Sequence, residues 1–394
     1  MLNPRKFLVT VVGTLPPLKG ISYYCLNFCQ ALSKIVNIQF IGFKKIYPER
    51  FYPHGTESKL KFDVDASTFS EIKNIINYNN PCTWVKAALY VRGKILHIQY
   101  WAYPLVGVNF IIMLLNKFRR KKIVVTLHNV LPHENKIIGW AATLIMVLLA
   151  DKLIVHDKRI FRNVVRIYPV RPNKVNIIPH GLLLPICRSN ITREKARMKL
   201  NLGLEELVIL FFGNIREYKG LDVMLYSLRK IRQHLPHVRL LIAGAPWHTF
   251  SFYETLIKML KLEGVIVKNL KYIPDEEVET YFVASDIVVL PYKFLDSSSG
   301  VAALAIGFNK PLVVTDVGGL NEFVLDKNAI AQPNDPEDLA QKIIRILTNE
   351  ELRKKLILDS VYVKKKISWE AIGEKTLKLY HQLMKNKINS RMLS

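Results

Sequence analysis

Short, unbroken apolar runs alternate with longer amphipathic stretches along the whole chain. In the first half the apolar runs fall at 7–12, 38–43, 95–99, 123–127, 153–155 and 175–178. In the second half they fall at 208–212, 240–243, 265–267, 287–290 and 312–315. Strands without polar alternation are those buried on both faces, and their alternation with helical patterns predicts parallel sheets linked by crossover helices. The pattern therefore predicts an α/β protein of two doubly wound domains. Pro179, Gly181 and Pro185 interrupt the periodicity ahead of a basic helix at 192–200, which places the domains at 1–185 and 186–367. Ser368-Trp369-Glu370 opens a last helix, with Ser368 as its N-cap, running to about Met384. The segment 368–394 is expected to cross back to the N-terminal domain, with its last ten residues frayed.

A length of 394 residues is enough for two cores. An apolar share of 50% and a charged share of 23% exclude the disordered and collagenous classes. Charge adds a partner class. The chain has 57 Lys and Arg against 32 Asp and Glu, and residues 1–180 carry a net +18 of the total +25. Such an excess attracts polyanions: nucleic acid, anionic lipid or phosphorylated small molecules. Cys25, Cys29, Cys82 and Cys187 are too irregularly placed for a disulfide framework and fit a reducing, cytoplasmic setting. Cys25 and Cys29 read as buried small residues on a helix, because no second metal-ligand pair follows. The apolar run at 7–12 is too short for a signal-peptide core. Runs at 104–116 and 137–150 fall short of the ~20 residues that span a bilayer and read as buried or interfacial helices. Between them, Lys117-Phe118-Arg119-Arg120-Lys121-Lys122 fits either an anionic membrane surface or a solvated charge run.

Open α/β sheets bind ligands beyond the carboxyl ends of their strands, so the residues after each strand carry the candidate chemistry. The strand at 208–212 breaks at Gly213-Asn214-Ile215-Arg216-Glu217-Tyr218-Lys219-Gly220 and delivers two cations suited to a diphosphate. A plain surface pair would look the same. Pro291-Tyr292 leads to Asp296-Ser297-Ser298-Ser299-Gly300-Val301 at the start of an apolar helix, where exposed amides make an anion site, or a simple serine cap. Thr315-Asp316-Val317-Gly318-Gly319-Leu320-Asn321-Glu322 follows the next strand. Three neighbouring strand ends are thus expected to converge on one cleft.

The order and spacing of these motifs resemble glycosyltransferase family 4, across nearly the whole chain. The second half matches as strand, Gly-x-x-Arg-x-x-Lys-Gly, Pro-Tyr, Ser-Gly-Val, alanine-rich helix, strand, and Thr-Asp-Val-Gly-Gly-x-x-Glu. The first half supplies a glycine loop from Gly13 to Ser22 and Leu127-His128-Asn129-Val130-Leu131-Pro132-His133-Glu134. The resemblance implies the GT-B fold, two Rossmann-like domains facing each other across a cleft. It implies a metal-independent, retaining transferase that moves a sugar from a nucleotide-sugar to a lipid-linked or polysaccharide acceptor. In that reading Arg216 and Lys219 hold the diphosphate, Ser299, Gly300 and Val301 supply amides, and Gly213, Glu322 and the Gly20 loop complete the donor site. Asp296 orients the donor sugar, His128 reaches the transferred sugar, and His133 and Glu134 line the acceptor side. His97, His156 and His180 also sit at strand ends and rank below His128; each, His128 included, reads equally well as a core histidine.

The chain departs from the family's pattern at two glutamate positions, which hold Asp296 and Leu304, and at Asn214, where an arginine is usual. Losing the ribose contact at Leu304 costs on the order of 1 kcal/mol. An inactive GT-B-like scaffold that binds nucleotide-sugars is therefore the rival reading. Nucleic-acid binding ranks third, because the charge is dispersed and no helix-turn-helix, zinc or RNA-recognition signature accompanies it. Asp63-Val64-Asp65 resembles the metal-chelating pair of the other glycosyltransferase fold but reads as two surface aspartates. No cofactor and no metal is expected. The basic half and the apolar helices point to the inner face of the membrane as a peripheral site.

Overall fold

The computed structural model describes residues 7–18, 21–46, 64–129, 136–182, 189–295 and 299–389. The chain divides into two compact units, one of Met1–Gly181 with Ile367–Ser394 and one of Leu182–Lys366.

The first unit is built on a seven-stranded sheet. In chain order its strands are β1 (Leu8–Gly13), β2 (Asn37–Lys45), β3 (Glu71–Asn77), β4 (Ile95–Tyr100), β5 (Lys122–Leu127), β6 (Lys152–Val155) and β7 (Val175–Ile177). They lie in the order β3-β2-β1-β4-β5-β6-β7, all parallel. Helices α1 (Ser22–Ser33), α2 (Pro81–Tyr90), α3 (Val106–Phe118), α4 (Lys136–Leu149) and α5 (Lys158–Ile167) connect them. Side chains alternate across the pleat and so feed two cores. Val12, Ile98, Ile123 and Val125 pack with α2 to α5 on one face. Val9, Val11, Ile38 and Val124 pack with α1 on the other.

The second unit has a six-stranded parallel sheet in the order β10-β9-β8-β11-β12-β13. Its strands are β8 (Leu207–Phe212), β9 (Val238–Ala243), β10 (Ile266–Asn269), β11 (Ile287–Leu290), β12 (Leu312–Thr315) and β13 (Ile330–Ala331). Helices α6 (Arg193–Lys199), α7 (Leu221–His234), α8 (Ser251–Met259), α9 (Asp275–Ala284), α10 (Gly300–Gly307), α11 (Pro336–Thr348) and α12 (Glu350–Lys366) surround it. Both units are doubly wound and Rossmann-like, as the strand-and-helix alternation predicts. In each, the order reverses beside the first strand, the place where such sheets leave a ligand crevice.

The last helix, α13 (Trp369–Asn389), belongs to the first unit, where Ile372, Leu379, Tyr380 and Leu383 join the core that α1 covers. Ser368 caps it, its Oγ accepting from the Ala371 amide at 3.2 Å. The helix outruns the expected end at Met384. Two strands escaped the sequence reading. The polar, edge-lying β3 pairs among the described residues with β2 alone and carries Lys73 and Asn74, and β13 is two residues long. The apolar run at 104–116 became α3 and that at 137–150 became α4, and among the described residues no helix is long and apolar enough to cross a membrane. Cys25 and Cys29 are buried in α1 as expected.

Candidate functional site

Local backbone chemistry shapes the end of β8. The strand stops at Gly213, whose φ of +90° suits glycine, and a Cβ there would lie 2.9 Å from the Lys219 ammonium and 3.3 Å from Val301. Pairing with the neighbouring strand end continues past the break: Ile215 N–H donates to Ala245 C=O at 2.9 Å and Trp247 N–H to Ile215 C=O at 3.0 Å. This brings the Trp247 ring under Arg216, whose guanidinium carbon lies 3.9 Å from the ring centroid. A single 3-10 turn, Glu217–Lys219, then ends at Gly220, and a Cβ on Gly220 would lie 1.9 Å from the Pro291 carbonyl oxygen. The turn is therefore packed directly on the end of β11, and the Lys293 amide donates to the Tyr218 carbonyl at 2.7 Å.

The turn folds Lys219 inward. Its side chain is 7% exposed, and its ammonium lies 5.8 Å from the Tyr292 ring. Burial, and secondarily the neighbouring Arg216, lower its pKa to about 8. Among the described residues no carboxylate forms an ion pair with Arg216 or Lys219. Lys293, nearby, differs: it is paired with Asp222 at 2.8 Å. A cavity of about 420 Å³ opens beside the two uncompensated cations, lined by Phe212, Gly213, Asn214, Arg216, Tyr218, Lys219, Gly244, Tyr272, Ile273 and Val301. At its edge Ser299 caps α10, accepting from the Ala302 amide at 3.2 Å, and Gly300 faces open space. Two cations and a helix start lie around one cavity, a combination whose charge suits an anion.

Of the residues singled out from sequence, Gly213, Arg216, Lys219 and Val301 are brought together here, with Ser299 and Gly300 beside Val301. Glu322 sits exposed on the 3-10 turn Leu320–Phe323 and is not among the lining residues. Gly20, Asp296, His133, Glu134 and Asp63 lie outside the described residues. Asp65 caps a short turn, accepting from the Ser67 amide at 2.9 Å. Among the described residues no group of His, Cys, Asp and Glu is placed to hold a metal ion. Leu304, partly exposed on α10, offers no polar atom. Sequence reasoning missed Gly244, Trp247, Tyr272 and Ile273. Gly244-Ala245-Pro246-Trp247 directly follows the strand next to β8, so the strand-end rule applied to every strand would have found the first two.

His128 belongs to the other unit and sits in a cluster of aromatic rings. The Tyr24 ring centroid is 4.5 Å from that of His128, 5.4 Å from His156, 4.9 Å from His180 and 5.2 Å from Trp369. Both His128 nitrogens are engaged within the unit: Nε2 lies 2.9 Å from Gln99 Oε1 and Nδ1 lies 3.2 Å from His156 Nε2. Burial drives His97 and His156 to about 3 and His128 well below its usual value, helped by the neighbouring rings of His156 and His180. All are neutral at pH 7. His97 is bridged between the Tyr380 hydroxyl at 2.6 Å and Thr126 Oγ1 at 2.7 Å, so it is a satisfied core histidine.

Comparison with known proteins agrees with this architecture. Residues 192–359 match the family described as glycosyl transferases group 1. The chain is 26% identical over 248 residues to the D-inositol 3-phosphate glycosyltransferase of Nocardioides sp., a match that spans 59% of this chain and 54% of that protein. The chain thus spans about half the length of the relatives it matches. Sucrose-phosphate synthase from Thermosynechococcus elongatus superposes with a TM-score of 0.65 at 18% identity, covering 96% of this chain and all of that one. Anabaena HepE in complex with UDP-glucose superposes with a TM-score of 0.67 at 14% identity, covering 95% and 99%. The fold is that of the GT-B glycosyltransferases, and the second unit carries a glycosyl transferases group 1 domain.

Proposed function

We propose that the chain transfers a sugar, with retention of configuration and without a metal, from a nucleotide-sugar to a lipid-linked or polysaccharide acceptor. The observation that carries this reading is the pair of cations at the end of β8, one of them buried, with no carboxylate partner among the described residues. A desolvated ammonium beside a guanidinium is costly unless an anion completes the site. A diphosphate supplies the matching charge and size. HepE's complex with UDP-glucose supports a uridine nucleotide-sugar as the first donor to try.

Arg216 and Lys219 would bind the two phosphates and neutralise the charge that grows on them as the glycosidic bond breaks. The Gly300 and Val301 amides at the start of α10 would hold the same leaving group. The Trp247 ring under Arg216 would help to orient its guanidinium. Asp296 would orient the sugar, and the resemblance gives His128 a role toward the transferred sugar.

The decisive experiment is a screen of UDP-, GDP- and ADP-sugars by titration calorimetry and by transfer, with Arg216→Ala and Lys219→Ala alongside. Each substitution is expected to weaken nucleotide binding by about tenfold or more and to lower transfer further, with the fold intact by circular dichroism. Transfer is expected to persist in EDTA; its loss there and restoration by manganese would overturn the metal-free part. Nucleotide binding with no transfer to any lipid or glycan would select the scaffold reading, and rates unchanged in both variants would remove the assigned roles.

A further inference from the structure

The second unit holds a further cavity of about 340 Å³, bounded by the turn after β8, the start of α7 and the start of α8. Arg216 lines both cavities, but the rest of this lining differs in kind. The cation cavity gathers Arg216 and Lys219 with no acidic side chain in its lining. This one sets Arg216 and Lys293 against Glu217 and Asp222. Those charges balance, so neither an anion nor a cation meets a net attraction there. Phe252 and Tyr253 supply an aromatic side, their ring centroids 5.3 Å apart and their planes at 73°.

The polar groups of this lining have bonding capacity to spare. Asp222, in the first turn of α7, receives a single hydrogen bond among the described residues, from Lys293 Nζ to Oδ2 at 2.8 Å, and its buried Oδ1 has no partner. A carboxylate accepts about four. Among the described residues the Glu217 carboxylate and the Tyr253 hydroxyl have no hydrogen-bond partner. Burial, with the carboxylates of Asp222 and Glu217, pushes the Tyr253 pKa up, so this hydroxyl keeps its proton and can donate. Donors and acceptors are therefore interleaved around one space. Hydroxyl groups match that mixture, because each both donates and accepts. The C–H face of a saturated sugar ring matches the aromatic side, since an aromatic face carries the negative lobe of its quadrupole. Phe252 and Tyr253 meet as a corner and not as the parallel-sided slot that clamps a flat base. The volume lies at the small end of ligand pockets, which run from roughly 300 to 1,000 Å³, and suits a ligand of monosaccharide size.

We propose that this cavity is a second binding site, distinct from the cation cavity, that takes a neutral pyranose: Asp222 and Glu217 accept from its hydroxyls, Arg216 and Lys293 donate to them, and Phe252 and Tyr253 cover one face. Every residue of the site belongs to the second unit, and the proposal does not rest on the glycosyl-transfer reading. A free monosaccharide and one unit of a longer glycan offer the same chemistry, so the length of the best ligand separates the two sources. Because Arg216 serves both cavities, Arg216→Ala is expected to weaken sugar and nucleotide together, whereas Lys219→Ala weakens the nucleotide alone.

The test is saturation-transfer NMR of the full chain with D-glucose, D-galactose, D-mannose and N-acetyl-D-glucosamine, and with maltose and cellobiose, each titrated to about 50 mM to reach the weak affinity of a small neutral ligand. At least one pyranose is expected to bind, and the proposal falls if none does. Phe252, 62% exposed, and Glu217, also exposed, can be changed without opening the core. Phe252→Ala and Glu217→Gln are each expected to weaken the sugar about fivefold to tenfold. UDP, followed by calorimetry, is expected to bind Phe252→Ala as it binds the parent. Sugar affinity unchanged in both variants would overturn the proposal. So would a sugar lost in Lys219→Ala and kept in the other two, which would put it in the cation cavity, and so would uridine binding that Phe252→Ala weakens where no pyranose binds. A disaccharide held at least about tenfold more tightly than glucose supports the site with a unit of a longer glycan as its occupant; equal affinities support it with a free sugar.

Discussion

Lys219 shows how a single side chain can carry the chemistry of the site. Its pKa of about 8 is depressed by burial and by Arg216, so in the free protein the amine is half-deprotonated near pH 8. A bound diphosphate favours the charged form and raises that pKa. Binding therefore takes up a proton above pH 8, and affinity is expected to fall there by up to about tenfold per pH unit. Calorimetry in buffers of different ionisation enthalpy between pH 7 and 9.5 reads both effects, and Lys219→Arg should abolish the pH dependence while retaining binding. A flat affinity across that range in the parent protein would contradict the assignment. The motif that revealed Lys219 was legible in the sequence because glycine, cation and turn are fixed by local geometry. The stacking partner Trp247 was not, since it depends on which strand lies beside β8.

At the scale of elements, the basic helix α6 was predicted from charge and turns out to be anchored by it. Arg197 is fully buried, donating to Asp286 at 2.8 Å and to the carbonyls of Ala284, Gly203, Leu204 and Glu206. Asp286 also accepts from the Val208 amide at 2.7 Å and so ties α6 to the starts of β8 and β11. Replacing Asp286 with alanine leaves a buried guanidinium without its counter-charge, and a loss of about 3–5 kcal/mol in denaturant unfolding is expected. A loss below about 1 kcal/mol would mean that the five carbonyl and carboxylate contacts are not cooperative. Central strands were readable as continuous apolar runs; β3 was not, because an edge strand need bury only part of itself and its Lys and Asn face outward. Helix α13 runs to Asn389, past the end its sequence suggested.

Across the whole molecule, charge and titration set the working conditions. His97, His128, His156 and His180 all have pKa values lowered by burial, with His97 and His156 at about 3. In the unfolded chain they protonate near 6.5, so below that pH the unfolded state binds more protons and stability falls as pH falls. Each histidine contributes a loss of about 1.4 kcal/mol per pH unit between 6.5 and its folded value, and thermal melts at pH 7.5, 6 and 5 should show a steep decline. His97→Gln should flatten it in part. A Tm independent of pH would show that the cluster is open to water.

The first unit also exposes Ile137, Ile138 and Leu148 on α4 and Phe118 at the end of α3, and Lys117 of the basic run donates to the Leu149 carbonyl at the end of α4 at 3.3 Å. Part of that run is engaged internally: Lys117 pairs with Asp151 at 2.8 Å, and Arg119 donates to the Ala88 carbonyl at 2.7 Å. We expect co-sedimentation with anionic vesicles that weakens with salt and with Arg119→Gln/Arg120→Gln. Binding indifferent to both would leave the acceptor in solution. Composition made the charge excess visible in the sequence, while only the fold showed which apolar side chains of α4 are left exposed.

The return of α13 to the first unit has a temporal side. Ribosomes deliver residues in order, so the sheet made first lacks Ile372, Leu379 and Tyr380, and His97 lacks the Tyr380 hydroxyl, until the group 1 domain has already left the tunnel. The opening half of this polypeptide is thus the last part to be finished, and a stalled or clipped tail would leave a correctly folded second lobe attached to an unsealed first one.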